Sequence, residues 1–169
     1  LTAGICEELA RVTGYWMLKR ARRAEDGLML GIGHGGIEAM ILVGVLGAGG
    51  VAQMFALRNV DLLSMNLGPD QIAQFQKMLD TFNQPGIVGL LPLLERLIAM
   101  TLHIVISMMV LYAFQQKKRI WVLWAILYHA AVDAVAVVVG LKNVDPIIIE
   151  FAFLISVVPG ILWVIRVFG

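Results

Sequence analysis

The sequence holds one cysteine, Cys6, and only three histidines in 169 residues. A lone cysteine excludes an internal disulfide and says nothing of redox compartment. Charge is scarce, at 15% of residues against ~25% in soluble domains. Acidic and basic residues nearly cancel, leaving a net charge of +1, and nothing suggests a nucleic-acid site. No His-Glu-x-x-His zinc helix, signal peptide, internal repeat or low-complexity tract is visible. Apolar side chains make up 60% of the chain, and the mean hydropathy is +0.85. Such a composition belongs to an integral membrane protein, embedded as a multi-pass chain in the cell membrane.

About five membrane segments are expected: Leu1 to Leu18, Leu28 to Leu57, Gly86 to Phe114, Ile120 to Leu141 and Ile147 to Phe168. The second and third exceed one bilayer thickness, so they tilt, kink or project. The second is rich in glycine, which lets helices approach closely. Pro92 and Pro159 are expected kinks. Between the second and third segments, Asn66-Leu67-Gly68-Pro69-Asp70 is a helix-start signal. Ile72, Phe75, Met78, Leu79 and Phe82 then recur at helical spacing. A short amphipathic helix is expected there, lying on the membrane or packed over the bundle. If the segments alternate, Lys19, Arg20, Arg22, Arg23, Lys117, Lys118, Arg119 and Arg166 share one face. Arg58, Lys77 and Lys142 share the other, which makes the first face cytoplasmic. The chain opens on Leu1 in mid-pattern, and further membrane segments are expected before it.

All three histidines lie inside these apolar runs, each with carboxylates near. Counting ~1.5 Å per residue from the cytoplasmic ends places Glu7, Glu8, Glu38, His103 and His129 at depths of ~14–16 Å. His34 is shallower and Asp133 deeper. Ionisable groups on four helices thus converge on one layer. Each costs at least a few kcal/mol to insert, ~2.5–3.5 for a central Asp, Lys or Arg, so a buried polar site is the default reading. Arg11 follows Glu7 by four residues and Glu8 by three, so either pair can neutralise on one helix face, leaving the other glutamate for chemistry. His34 with Glu38, and His129 with Asp133, are four apart and share a face; Arg96 and His103 are seven apart and point the same way. No basic residue in its own segment can neutralise Glu38. Adjacent Glu95 and Arg96 are expected not to face each other, and Arg96 is expected to pair across helices rather than to catalyse. Glu150, near a membrane end, is expected to be solvated. Cys6 is read as packing, and the methionines, Trp121, Trp124 and Trp163 as lipid or interface contacts.

These residues together resemble the YhfC family of predicted intramembrane proteases, grouped with the PrsW proteases and the CAAX prenyl endopeptidases. Glu7-Glu8-Leu9-Ala10-Arg11 resembles the opening glutamate-pair motif. Gly31-Ile32-Gly33-His34-Gly35-Gly36-Ile37-Glu38-Ala39 resembles the glycine-rich second motif. Glu95-Arg96 through His103 resembles the third, and His129-Ala130-Ala131-Val132-Asp133 the last. The resemblance implies an all-α, polytopic transmembrane bundle. It implies one protease-like domain over residues 1–169, N-terminally incomplete; the charge count makes residues 59–85, with the short amphipathic helix, an extracytoplasmic loop. Two departures stand out. The prenyl endopeptidases place their basic residue one position further from the glutamate pair. They also usually carry asparagine where this chain has Asp133, and an ionised aspartate cannot donate to an oxyanion.

The resemblance implies an endopeptidase acting on a membrane-embedded or membrane-proximal peptide, which would enter from the cytoplasmic half. Glu7 or Glu8 would be the general base, His103 would share its water, and His129 would polarise the scissile carbonyl. Asp133 would orient His129 or bind a metal. Arg11, His34, Glu38 and Arg96 are additional site residues. No cofactor is required by this scheme, and the glutamate-type relatives favour a metal-free site. Zinc is the alternative, with ligands drawn from Glu8, His34, Glu38, His103 and His129. Two rival classes stand beside the peptidase: an ion- or proton-coupled transporter, since intramembrane carboxylates and histidines also build proton relays, and a non-catalytic membrane binding protein.

Overall fold

Long apolar runs in a bilayer satisfy their backbone polar groups within the segment, as helices. The computed structural model follows this rule, with helices and no strands among the described residues, which are 2–60, 68–82, 90–140 and 144–169. Helix α1 spans Thr2–Met17 and α2 spans Ala24–Ala39. The chain then continues through a π-helical stretch, Met40–Gly47, into α3, Ala48–Leu57. Helix α4 spans Pro69–Phe82, α5 Leu91–Gln116, α6 Ile120–Gly140 and α7 Pro146–Phe168. Among the described residues, four helical stretches are long and apolar enough to cross a membrane: Ala24–Leu57, Leu91–Gln116, Ile120–Val138 and Pro146–Phe168. The fifth expected segment is α1, whose 16 residues fall short of a full span. The amphipathic helix forms as α4, with Ile72, Phe75 and Leu79 half-buried amid exposed polar neighbours. Leu1 of the first expected segment, Asn66 and Leu67 of the helix-start signal, residues 86–89 of the third segment, residue 141 of the fourth, and Lys142 lie outside the described residues.

Helix α5 is the central element. Twelve of its 26 residues are buried, from Ile98 to Ala113, and α2, α6 and α7 all pack on it. Its most extensive partner is α2, and the sequence explains the seam. Gly27, Gly31 and Gly35 recur every four residues and are buried on one face. A methyl group at Gly31 would lie 2.5 Å from the Ile104 Cα and 3.0 Å from the His103 carbonyl oxygen. At Gly35 it would meet the Met100 Cα and the His103 ring at 3.1 Å. The missing side chains let two backbones touch. Gly33 and Gly36, on other faces, meet open space.

The ends of the helices carry their own locks. Arg22 donates to the Leu18 and Tyr15 carbonyls, closing the C-terminus of α1, and lies 4.7 Å over the Phe114 ring. Gln115 donates to the Arg22 carbonyl at 2.8 Å. Trp121 and Trp163 stack at 5.1 Å, with Tyr112 against both and Phe168 alongside. The α1–α2 loop, the α5–α6 loop and the end of α7 therefore share one end of the bundle, which carries the basic residues grouped by the sequence reading.

Several expectations on proline and aromatic residues change. Pro92 sits in the first turn of α5, where a missing N–H costs nothing, and bends nothing. Pro159 lies inside α7, and the helix passes through it. Nearby, the Tyr128 hydroxyl is inserted into the ladder: Gly160 N–H donates to it at 3.3 Å, and it donates to the Ser156 carbonyl at 2.8 Å. Trp121 and Trp163 pack against the core rather than facing only lipid, and Met108 and Met109 are buried. Their side chains fill the space between α5 and its neighbours. Cys6 is exposed.

The α2–α5 seam makes a direct prediction. Gly31→Val forces two backbones apart and is expected to destabilise the protein by ~1–3 kcal/mol. Gly33→Ala is expected to be neutral or to stabilise by up to ~1 kcal/mol, since alanine favours helix and nothing is displaced. Thermal unfolding of the two variants in the same detergent measures the difference.

Candidate active site

The four helices α1, α2, α5 and α6 bring their ionisable groups together as the depth count expects. The buried anchor is on α1. Glu8 is fully buried and Arg11 is 2% exposed. Glu8 Oε1 accepts from Arg11 Nη1, forming an i,i+3 ion pair. The same oxygen lies 2.9 Å from Nδ1 of His129. The second Arg11 nitrogen, Nη2, is 3.1 Å from Nδ1 of His103. A guanidinium has no lone pair to offer, so it donates and the His103 Nδ1 accepts. The His103 proton then sits on Nε2, which donates to Glu38 Oε2 at 2.5 Å.

Glu38 is held from two sides. Its other oxygen, Oε1, accepts from Arg96 Nη1 at 3.0 Å. The cation that offsets Glu38 thus comes from another helix, as expected for Arg96. The same guanidinium also reaches Glu95, contrary to the sequence expectation. Adjacent residues diverge by ~100° around a helix, but a long arginine chain can fold back over its own turn. His34, expected to share a face with Glu38, is directed across the bundle instead, with Nε2 3.2 Å from Glu7 Oε2.

The i,i+3 pairing of Glu8 with Arg11 leaves Glu7 as the glutamate without a local cation. Its carboxylate is about one-third exposed. Besides His34, it faces His129 Nε2 at 3.9 Å and His103 Nδ1 at 4.0 Å. Asp133 lies one turn along α6, with Oδ1 3.6 Å from His129 Nε2. These groups border a cavity of about 480 Å³ whose wall includes Glu7, Glu38, Arg96, His103, His129 and Asp133.

The same wall includes Glu150 on α7, which the sequence reading placed in solvent. It is 8% exposed, because α7 packs on α5 and α6. A usable signal existed: like Glu38, Glu150 stands in an apolar run with no cation three or four residues away.

Among the described residues, four side chains meet the geometric needs of a metal ion. One ligand atom from each of Glu7, His34, Glu38 and His103 lies within 4.8 Å of the others. Two imidazoles and two carboxylates form a donor set of the kind zinc accepts. Of the expected metal ligands, Glu8 is committed to Arg11 and His129, while His129 borders the cluster without joining it.

Residues 1–154 match the family described as YhfC intramembrane metalloprotease. The chain belongs to this family. It is also 30% identical, over 141 residues, to a Bacillus subtilis (strain 168) protein named uncharacterized membrane protein YhfC. The match covers 81% of this chain and 54% of that relative, so the chain spans about half the relative's length. No solved structure matches. The family and the four long apolar helices together make this a multi-pass membrane protein with an all-helical fold.

The two neighbouring glutamates are expected to separate cleanly on mutation. Glu8→Gln leaves the Arg11 charge buried and unpaired, and is expected to cost ~3–5 kcal/mol. Glu7→Gln keeps a hydrogen-bonding group at a partly exposed position and is expected to cost less than ~1 kcal/mol. Unfolding curves of both variants, read beside the wild type, distinguish the anchoring glutamate from the one facing the cavity.

Proposed function

We propose that this chain carries the catalytic core of an intramembrane endopeptidase, hydrolysing a peptide bond of a membrane-embedded or membrane-proximal peptide. The observation that carries the reading is Glu7: a carboxylate spared by Arg11, on a cavity wall, facing three histidines. Hydrolysis needs a base for water and a donor for the oxyanion. Glu7 serves as the base and carries the proton to the leaving amine. His129 serves as the donor. It does so as an imidazolium: Nδ1–H donates to Glu8, and Nε2, turned toward the cavity, carries the second proton. Asp133 steadies the same ring from the next turn, which suits a carboxylate that cannot itself donate.

The family description and the four-donor cluster both favour the metal alternative over a metal-free site. His34, Glu38 and His103 would hold the ion, with Glu7 as the fourth donor or as the base beside it. A divalent metal such as zinc supplies Lewis acidity toward a carbonyl and lowers the pKa of water. The protein's part is to aim the ligands. Arg96 fixes Glu38 through Oε1. Glu8 cancels the charge of Arg11, and Arg96 is divided between Glu38 and Glu95, so net negative charge is left where a cation would bind.

In membranes containing the full-length protein, Glu7→Gln is expected to lower peptide cleavage by ~10²–10⁴-fold while the protein remains folded. Cleavage at the wild-type rate would refute Glu7 as base. His34→Ala and His103→Ala are expected to lower the bound-metal content of purified protein, measured by elemental analysis. A wild-type protein with no metal, and with activity indifferent to chelators, would return the site to the metal-free scheme.

A further inference from the structure

Among the described residues of the cavity wall, Arg96 is the only lysine or arginine, against the carboxylates of Glu7, Glu38, Glu95, Asp133 and Glu150. Four of these acids have company. Arg96 is shared by Glu38 and Glu95. Asp133 faces His129, and Glu7 faces His34. Glu150 makes no ion pair among the described residues, and Arg96, which acts on it only at longer range, is already taken by Glu38 and Glu95. Glu150 is 8% exposed, and its Oε2 is buried with no hydrogen-bond partner among the described residues. A carboxylate taken out of water without a cation or donors is costly, and native structures seldom tolerate one without a reason.

The position of Glu150 suggests where its partner comes from. Glu150 lies four residues after Pro146, so ~6 Å along α7 from its start. Asp145 caps that helix end by accepting from the Ile147 N–H at 2.8 Å. The cavity therefore extends from His103 and His129 toward the end of the bundle away from the basic loops. Phe153 and Ala99 flank it with apolar surface. An extended peptide whose scissile bond lies at Glu7 would place a neighbouring side chain there.

We propose that Glu150 forms a cation-recognising subsite, which pairs with a lysine or arginine side chain of a peptide bound in this cavity. The inference rests on the peptidase reading for the identity of its ligand, and it narrows the substrate to peptides with a basic residue near the cleaved bond. The cavity would disfavour an acidic residue at the same place, since five carboxylates already line it.

The test uses full-length protein in lipid nanodiscs. Two Leu/Ala peptides serve as probes, identical except that one carries lysine and the other norleucine at a position scanned along the chain. Wild-type protein is expected to bind the lysine peptide roughly tenfold or more tightly at one position. Glu150→Gln is expected to bring that ratio close to one. Should the Gln variant fail to fold, Glu150→Asp decides: a clear fall in the ratio supports the subsite, and an unchanged ratio overturns it. Equal binding of both peptides by the wild type at every position also overturns it, as does a ratio that survives Glu150→Gln. Cleavage of the same peptides is read separately. Charge-selective binding without any cleavage would sink the peptidase reading and leave the cation subsite standing. Cleavage without charge selectivity would do the reverse.

Discussion

A guanidinium inside a bilayer dictates much of this structure. Arg11 cannot lose its proton, and its exposure of 2% leaves it almost no water. Glu8, three residues back, supplies the countercharge on the same helix. Once that pair exists, its spare atoms become fixed points. The guanidinium reaches His103 on α5, and the Glu8 carboxylate reaches His129 on α6. Two histidines on different helices are thus set by one ion pair on a third. The ring of His103 then dictates where Glu38 of α2 must sit, and Arg96 secures the far side of that carboxylate. The site is a chain of charge-assisted hydrogen bonds starting from a buried pair, and such bonds are shorter and stronger than neutral ones.

Apolar packing delivers the groups to within reach of this chain. Gly31 and Gly35 permit α2 to lie against the backbone of α5 at the level of Met100 to Ile104. His34 and Glu38 stand on the same stretch of α2, so the close crossing carries them to His103 and Glu7. A larger residue in the seam would move two site residues along with the helix. The glycine spacing and the site spacing are therefore one arrangement, and the seam and the chemistry depend on each other.

Charge is distributed unevenly around the cavity, which gives the site a direction. Toward α1 and α2, every ionised group has a partner. Toward the start of α7, acids outnumber cations, and Glu150 makes no ion pair or Oε2 hydrogen bond among the described residues. A cation brought by a metal ion would answer the first concentration of carboxylates, and one brought by a peptide would answer the second. This division follows from Coulombic balance in a low-dielectric interior, where an uncompensated charge costs far more than in water.

Much of this was legible in the chain. Hydrophobic runs near bilayer length gave the helices within a few residues, because a span must satisfy its own backbone. The depth count put Glu7, Glu8, Glu38, His103 and His129 in one layer, because helical rise is constant. The i,i+4 pairing of His129 with Asp133 also held, since both lie on one helix. What the sequence left open were choices between near-equal partners. Glu7 and Glu8 stand equally well placed for Arg11 on paper; the packing of α1 against α5 and α6 buries one and turns the other to the cavity. His34 looked toward Glu38 by spacing and found Glu7 by proximity. Glu150 looked solvated by position in its helix and is buried because α7 leans on α5. Local spacing reports which residues share a face of one helix, whereas the partner a buried charge takes depends on which faces meet, and that is set only when the helices pack.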